Sequence, residues 1–276
     1  MEQQQVVLIT GASSGIGRQT AILMAKTGHI VYGAARHLDK LQELVPFGVI
    51  PLAMDVTKEY SCEMGLKRIL EEQGTLDILI NNAGYGSYGA VEDVPLTEAQ
   101  RQLEVNLFGA IRLTKLVLPL FRKQHAGRII MVSSIAGRVT GPMGGWYHAS
   151  KYALEALSDA LRMETAPQGI QVSIVEPGLV KTQWGHIAAD HLQATSQLGP
   201  YSRLAISMSE GIHKLYESKW VSSPDDVAKT IFLAANAAQP QARYLTGRGA
   251  YLLLILHAIL PTGIFDALAR WAMKKL

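Results

Sequence analysis

Short runs rich in valine and isoleucine alternate along this chain with longer segments of helical period, and few architectures accept that pattern. Strands that are apolar at consecutive positions, each followed by a helix, build βαβ units around a parallel sheet covered on both faces. Strands are expected at 6–9, 30–34, 49–53, 76–80, 128–132 and 171–175, with about seven in all. Pro51 lacks a ladder donor, so 49–53 suits only a strand end or a sheet edge. Helices are expected at 57–72, 97–121, 147–166 and 224–238. Gly28 is placed to end the first helix, Thr97 with Gln100 reads as a capping box, and Ser223 before Pro224 reads as an N-cap.

Length alone, 276 residues, suggests about two domains. No linker, repeat or low-complexity run interrupts the series, so one α/β doubly wound domain is the better reading. With 48% hydrophobic and 18% charged residues the chain is globular rather than disordered. A scattered net charge of +3 supplies no basic stripe, and no nucleic acid partner is expected. Cys62 is the only cysteine, which removes intramolecular disulfides and multi-cysteine zinc sites, and no His-x-x-x-His pair occurs; no metal is expected. The first residues lack a secretory pattern, and the longest apolar run, 251–260, is broken by His257 and stopped by Pro261, short of the roughly 20 residues that span a bilayer. A cytoplasmic protein is expected.

The chemistry begins where the first strand meets the first helix. Gly11, Ser13, Ser14, Gly15, Ile16 and Gly17 form a glycine-rich turn whose backbone amides, at a helix N-terminus, suit a pyrophosphate. Tyr147 and Lys151 lie four apart at the start of a helix and share a face, so the ammonium can favour the phenolate and bring the phenol toward neutrality. Ser134 follows the fifth strand at the carboxyl edge of the sheet, where it can donate a hydrogen bond to a carbonyl gaining negative charge. Each has a plainer reading: Tyr147 and Lys151 as solvated helix residues, Ser134, beside Ser133, as a helix cap or turn residue, and Asn106 as a side chain bonded to neighbouring backbone.

Together, the G-x-x-x-G-x-G spacing, Asn81-Asn82-Ala83-Gly84, Asn106, Ser134 and Tyr147-His148-Ala149-Ser150-Lys151 resemble the short-chain dehydrogenase/reductase family over nearly the whole chain. The resemblance implies a single Rossmann domain with helices on both faces of the sheet. It makes Tyr147 the proton donor in reduction, Lys151 the residue that lowers its pKa and holds the nicotinamide ribose, Ser134 the group that polarises the carbonyl, and Asn106 part of a water-linked proton relay. Ser134 is preferred to Ser133 because its thirteen-residue separation from Tyr147 matches the family. Ala35 stands where NAD-preferring relatives carry an acid, and Arg36 follows, so NADPH/NADP+ is expected over NADH, with Ser13 assisting at the phosphate. Asp55 and Val56 match the adenine contacts, although Asp55 suits the start of the next helix equally well. Asn82, Ala83 and Gly84 match the adenine-ribose segment, and Pro177, Gly178, Val180 and Thr182 the loop that holds the carboxamide. Lys181 matches no role.

Tyr85, Tyr88, Met143, Trp146, Trp184 and a weakly patterned insertion at 183–222, read as a lid, suit a pocket for a hydrophobic ketone or aldehyde, though the same residues suit a core. The domain is expected to span 1–249. A C-terminal extension, 250–276, adds two apolar helices at 251–260 and 264–273 followed by Lys274 and Lys275, and resembles the hydroxysteroid dehydrogenase and acyl-dihydroxyacetone-phosphate reductase side of the family. Packing on its own domain or a neighbouring subunit is expected ahead of contact with a membrane surface. The family also suggests a homodimer or homotetramer built on the Thr97 and Tyr147 helices. The expected activity is NADPH-dependent reduction of a hydrophobic carbonyl, reversible as an alcohol dehydrogenase. The alternatives are a non-catalytic NADP(H)-binding regulator and a sugar-nucleotide epimerase, for whose larger substrate domain the chain has no room.

Overall fold

The computed structural model describes residues 4–218 and 220–273. Its strands are β1 (Val6–Thr10), β2 (Ile30–Ala35), β3 (Val49–Ala53), β4 (Ile78–Asn81), β5 (Gly127–Val132), β6 (Ile170–Pro177) and β7 (Arg243–Thr246). They form one parallel sheet in the order β3-β2-β1-β4-β5-β6-β7. β3 is an edge strand, which is where Pro51 can be tolerated. The seventh strand, RYLT, is too short and polar to be bounded by sequence pattern alone.

The helices are α1 (Gly15–Lys26), α2 (Leu38–Gln42), α3 (Glu59–Gln73), α4 (Leu96–Leu103), α5 (Gly109–Gln124), α6 (Gly145–Thr165), α7 (Gln183–Ser196), α8 (Ser202–Glu217), α9 (Pro224–Asn236), α10 (Ala250–Ile259) and α11 (Thr262–Met273). Successive strand residues serve opposite faces. Val6 and Leu8 join a core under α3, α5 and α6 with Ile69, Phe121 and Leu154, while Val7 and Ile9 join one under α1 and α9 with Met24 and Ile231. That division is why each strand is apolar throughout. The strand order reverses between β1 and β4, opening a crevice at the carboxyl ends of the strands.

Several local expectations hold. Gly28 follows α1 at φ +94°. Ser223 caps α9 through a reciprocal box with Asp226, with Pro224 in the first turn. The helix expected at 97–121 is different: it begins at Leu96 after Pro95, Thr97 caps nothing, and a π-helical turn, Glu104–Phe108, divides α4 from α5. The insertion is a helical pair, α7 and α8, seated on a small core of Ala90, Met143, Leu192, Ala205 and Met208. Ser209 Oγ donates to the Ala189 carbonyl at 2.9 Å, and the Ala90 amide to Ser196 Oγ at 2.9 Å. Of the C-terminal extension, Ala250 is buried and Leu254, Leu256, Leu260 and Phe265 are half-buried, but most of the other apolar side chains beyond Ala250 are exposed. Lys274 and Lys275 lie outside the described residues. Among the described residues no helix is long and apolar enough to cross a membrane.

Candidate active site

A cleft of about 1020 Å³ occupies the crevice. On one side the turn after β1 feeds α1. Ser14 is extended and its side chain makes no cap, so the first amides of α1 have no side-chain partner there, and Gly11, Ser13, Ser14, Gly15 and Ile16 line the cleft. The glycines divide their work. A Cβ on Gly11, at φ +67°, would lie 2.9 Å from both Ala83 Cα and Asn82 Nδ2, and one on Gly17 only 2.4 Å from the Gly11 carbonyl oxygen, so these two let the turn pack against the strand beyond. A Cβ on Gly15, at φ +54°, would come within 3.2 Å of Thr182 Cγ2. Asn82 Nδ2 braces the turn by donating to the Thr10 carbonyl at 2.9 Å. A bare helix N-terminus on a glycine turn, opposite a loop made by Pro177, Gly178, Val180 and Thr182, fits a dinucleotide pyrophosphate.

At the end of β5 the two serines separate. The Ser134 hydroxyl accepts from the Ala136 amide at 3.1 Å and donates to the Pro177 carbonyl at 3.4 Å. It shares the cleft lining with Tyr147 and lies close enough to act on the phenol. The Ser133 hydroxyl lies instead against Gly137, toward Glu155. Burial pushes the Tyr147 phenol up to about 12, with Ser134 pulling the other way. Burial pushes the Lys151 ammonium down to about 8, opposed by Glu155 one helical turn on. Lys151 Nζ donates to the Val132 carbonyl at 2.9 Å. The sequence expectation that Lys151 brings the phenol toward neutrality is therefore not met here: the amine is anchored on β5, and burial dominates the phenol.

Asn106 stands in the π turn, where the widened backbone aims its amide inward. Oδ1 accepts from the Tyr85 amide at 2.9 Å, and Nδ2 donates to the Tyr85 carbonyl at 2.9 Å and to Ser150 Oγ at 3.1 Å. Ser150 in turn donates to the Tyr147 carbonyl at 2.7 Å. Asn106 thus ties the loop after β4 to the first turn of α6, through partners distant in sequence rather than neighbouring backbone.

Aromatic rings form the remaining wall. Trp184 at the start of α7 lies 5.0 Å from Tyr147 and 5.8 Å from Tyr88, centroid to centroid. The indole reaches this place because Gly86 has no Cβ, which would sit 2.3 Å from Trp184 Cζ2. Tyr216 of α8 and Tyr85 also line the cleft, Tyr85 donating its hydroxyl to Glu98 at 2.9 Å. Met143 belongs instead to the small core under α7 and α8, and Trp146 reaches toward the Val91 carbonyl.

Five of the expected cofactor residues stand back from the cleft: Gly17, which packs inside the glycine turn, and Arg36, Asp55, Val56 and Ala83. Arg36 is exposed at the end of β2. Asp55 accepts from the Thr57 amide at 3.0 Å and hydroxyl at 2.8 Å; burial would raise its carboxyl, but these bonds and the Arg36 charge hold it lower than usual. The Val56 carbonyl accepts from Arg112 at 2.6 Å, and Ala83 packs against Gly11. Sequence reasoning missed Arg18 and Lys40, which line the cleft mouth. It also missed His148, whose ring bridges the Ala136 carbonyl at 3.0 Å and the Gly141 amide at 3.2 Å, fixing the loop before α6. Only the register of the helices could have revealed these three.

A family described as short chain dehydrogenase matches residues 5–192. The chain belongs to that family. A probable short-chain type dehydrogenase/reductase, VdlC of Helicobacter pylori, is 36% identical over 265 residues, covering 96% of each chain. A 3-ketodihydrosphingosine reductase of Bacteroides thetaiotaomicron is 43% identical over 180 residues, 64% of each. The alcohol dehydrogenase of the archaeon Thermococcus sibiricus, solved with 5-hydroxy-NADP, is 26% identical with a TM-score of 0.71, covering 89% of this chain and 97% of that one. This short-chain dehydrogenase is accordingly an oxidoreductase, and its relatives support a nicotinamide cofactor in the cleft.

Proposed function

We propose that the protein reduces a hydrophobic ketone or aldehyde to the alcohol with NADPH, reversibly. The observation that carries this reading is the meeting of the Ser134 and Tyr147 hydroxyls under the Trp184 and Tyr88 rings, at the inner end of a cleft whose other end fits a dinucleotide. The glycine turn and the Pro177–Thr182 loop hold the cofactor, and Lys151 holds its nicotinamide ribose. When bound, reduced nicotinamide supplies a hydride to the carbonyl carbon. Ser134 donates a hydrogen bond to the carbonyl oxygen as charge develops there, and Tyr147 passes its proton to the same oxygen. A phenol at about 12 is protonated throughout the neutral range, the form that reduction consumes. Asn106 acts by position, holding Tyr85 and the start of α6.

Three features support NADPH. Ala35 ends β2 where an acid would repel a 2′-phosphate, Arg36 follows it, and Arg18 and Lys40 stand at the cleft mouth. The aromatic wall supports an apolar substrate, as does the relative that reduces 3-ketodihydrosphingosine, itself a ketone. NADPH oxidation across a panel of ketones, steroids and β-keto esters tests the activity, and fluorescence titration tests the cofactor. Tight NADPH binding with no turnover on any carbonyl would favour a non-catalytic regulator, and tighter NADH binding would overturn the cofactor assignment.

A further inference from the structure

We propose that α10 and α11 dock the protein on an anionic lipid surface beside the cleft. α10 is apolar around its circumference: Tyr251, Leu252, Ile255 and Ile259 are 64%, 61%, 54% and 68% exposed, and only Ala250 is buried. Its histidine, His257, is turned onto Phe265 of α11 at 4.9 Å between ring centroids. In α11, Ile264, Leu268 and Trp271 recur at i, i+4 and i+7 and are all exposed, while Asp266 and Arg270 lie off that stripe. A helix apolar on all sides needs a cover, and so large an exposed patch marks a surface of interaction.

Length and charge select the cover. α10 has 10 residues, which at 1.5 Å per residue reach about half of a ~30 Å hydrocarbon core, so the helix lies in an interface rather than across it. From Ala250 onward the sequence holds three basic residues, Arg270, Lys274 and Lys275, against the single acid Asp266, so two of the chain's +3 net charges lie in this segment. Basic residues with tyrosine and tryptophan beside an apolar face suit anionic headgroups. A second copy docked tail to tail would instead bring like charges together. Leu253 belongs both to α10 and to the cleft lining, so the lipid-facing surface borders the cleft mouth. The docking stands independently of the reaction assigned to the cleft.

The test is sedimentation of the full chain with vesicles of phosphatidylcholine alone or mixed with phosphatidylglycerol. Binding to the mixed vesicles, weak binding to the neutral ones and release by high salt are expected. Leu252→Glu combined with Ile259→Glu, both at exposed positions, should lower partitioning about tenfold with an unchanged melting temperature and circular dichroism spectrum. Equal partitioning of the double variant, or an absence of binding to mixed vesicles, would overturn the proposal. So would a wild-type dimer in light scattering that the double variant converts to monomer without any vesicle binding, which would make a second copy the occupant.

Discussion

Replacing Lys151 with methionine should stabilise the cofactor-free protein while destroying its activity. Burial holds this ammonium at about 8 against 10.5 for an ordinary lysine, a gap equivalent to about 3 kcal/mol. The folded state therefore binds this proton less readily than the unfolded chain. The resulting penalty is absent well above pH 10.5, grows as pH falls toward 8, and is complete below 8. Methionine keeps the length of the side chain but gives up the Nζ bond to the Val132 carbonyl, at a cost of about 1 kcal/mol. The net gain at pH 7 is about 2 kcal/mol, or roughly 3 °C in melting temperature for a chain of this size. At pH 10.5 the penalty falls to about 0.4 kcal/mol, because the folded lysine is neutral and the unfolded one half neutral, so the lost bond outweighs it and the variant should be slightly less stable than its parent. Thermal and urea unfolding of the parent and Lys151→Met at pH 7 and pH 10.5, without cofactor, measure this directly. A variant less stable than its parent at pH 7, or stabilised equally at both pH values, would refute the argument that the buried charge is the cost.

Two further substitutions separate the chemistry from the scaffold. Ser134→Ala removes the donor that meets Tyr147 and should lower kcat by about 10²–10³ with cofactor affinity unchanged in titration. Ser223→Ala breaks the reciprocal cap of α9 at a residue outside the cleft lining, and should cost about 1 kcal/mol, lowering the melting temperature by roughly 2 °C with turnover intact.

The sheet was legible because its strands are buried on both faces, which writes consecutive apolar residues into the sequence. β7 escaped because only Tyr244 of RYLT is buried while Arg243 reaches back to Glu155 and Glu176. The π turn around Asn106 escaped because its cause is tertiary: the amide is drawn inward by the Tyr85 backbone, residues away in sequence and invisible to periodicity. Ser134 was distinguished from Ser133 by family spacing, and the structure turns the two hydroxyls in different directions. The protonation of the Tyr147–Lys151 pair could not be read from their four-residue spacing, since burial sets both groups, with Ser134 acting on the phenol and Glu155 on the ammonium.

Carbonyl reduction by Tyr147→Phe bears most directly on the whole account. With a ketone that the parent reduces, and NADPH present in excess, the variant should lose turnover by at least about 10³-fold while its NADPH affinity in fluorescence titration stays near that of the parent. Ketone reduction retained at a rate near the parent's would contradict the assignment of Tyr147 as the proton donor, and with it the proposed chemistry of the cleft.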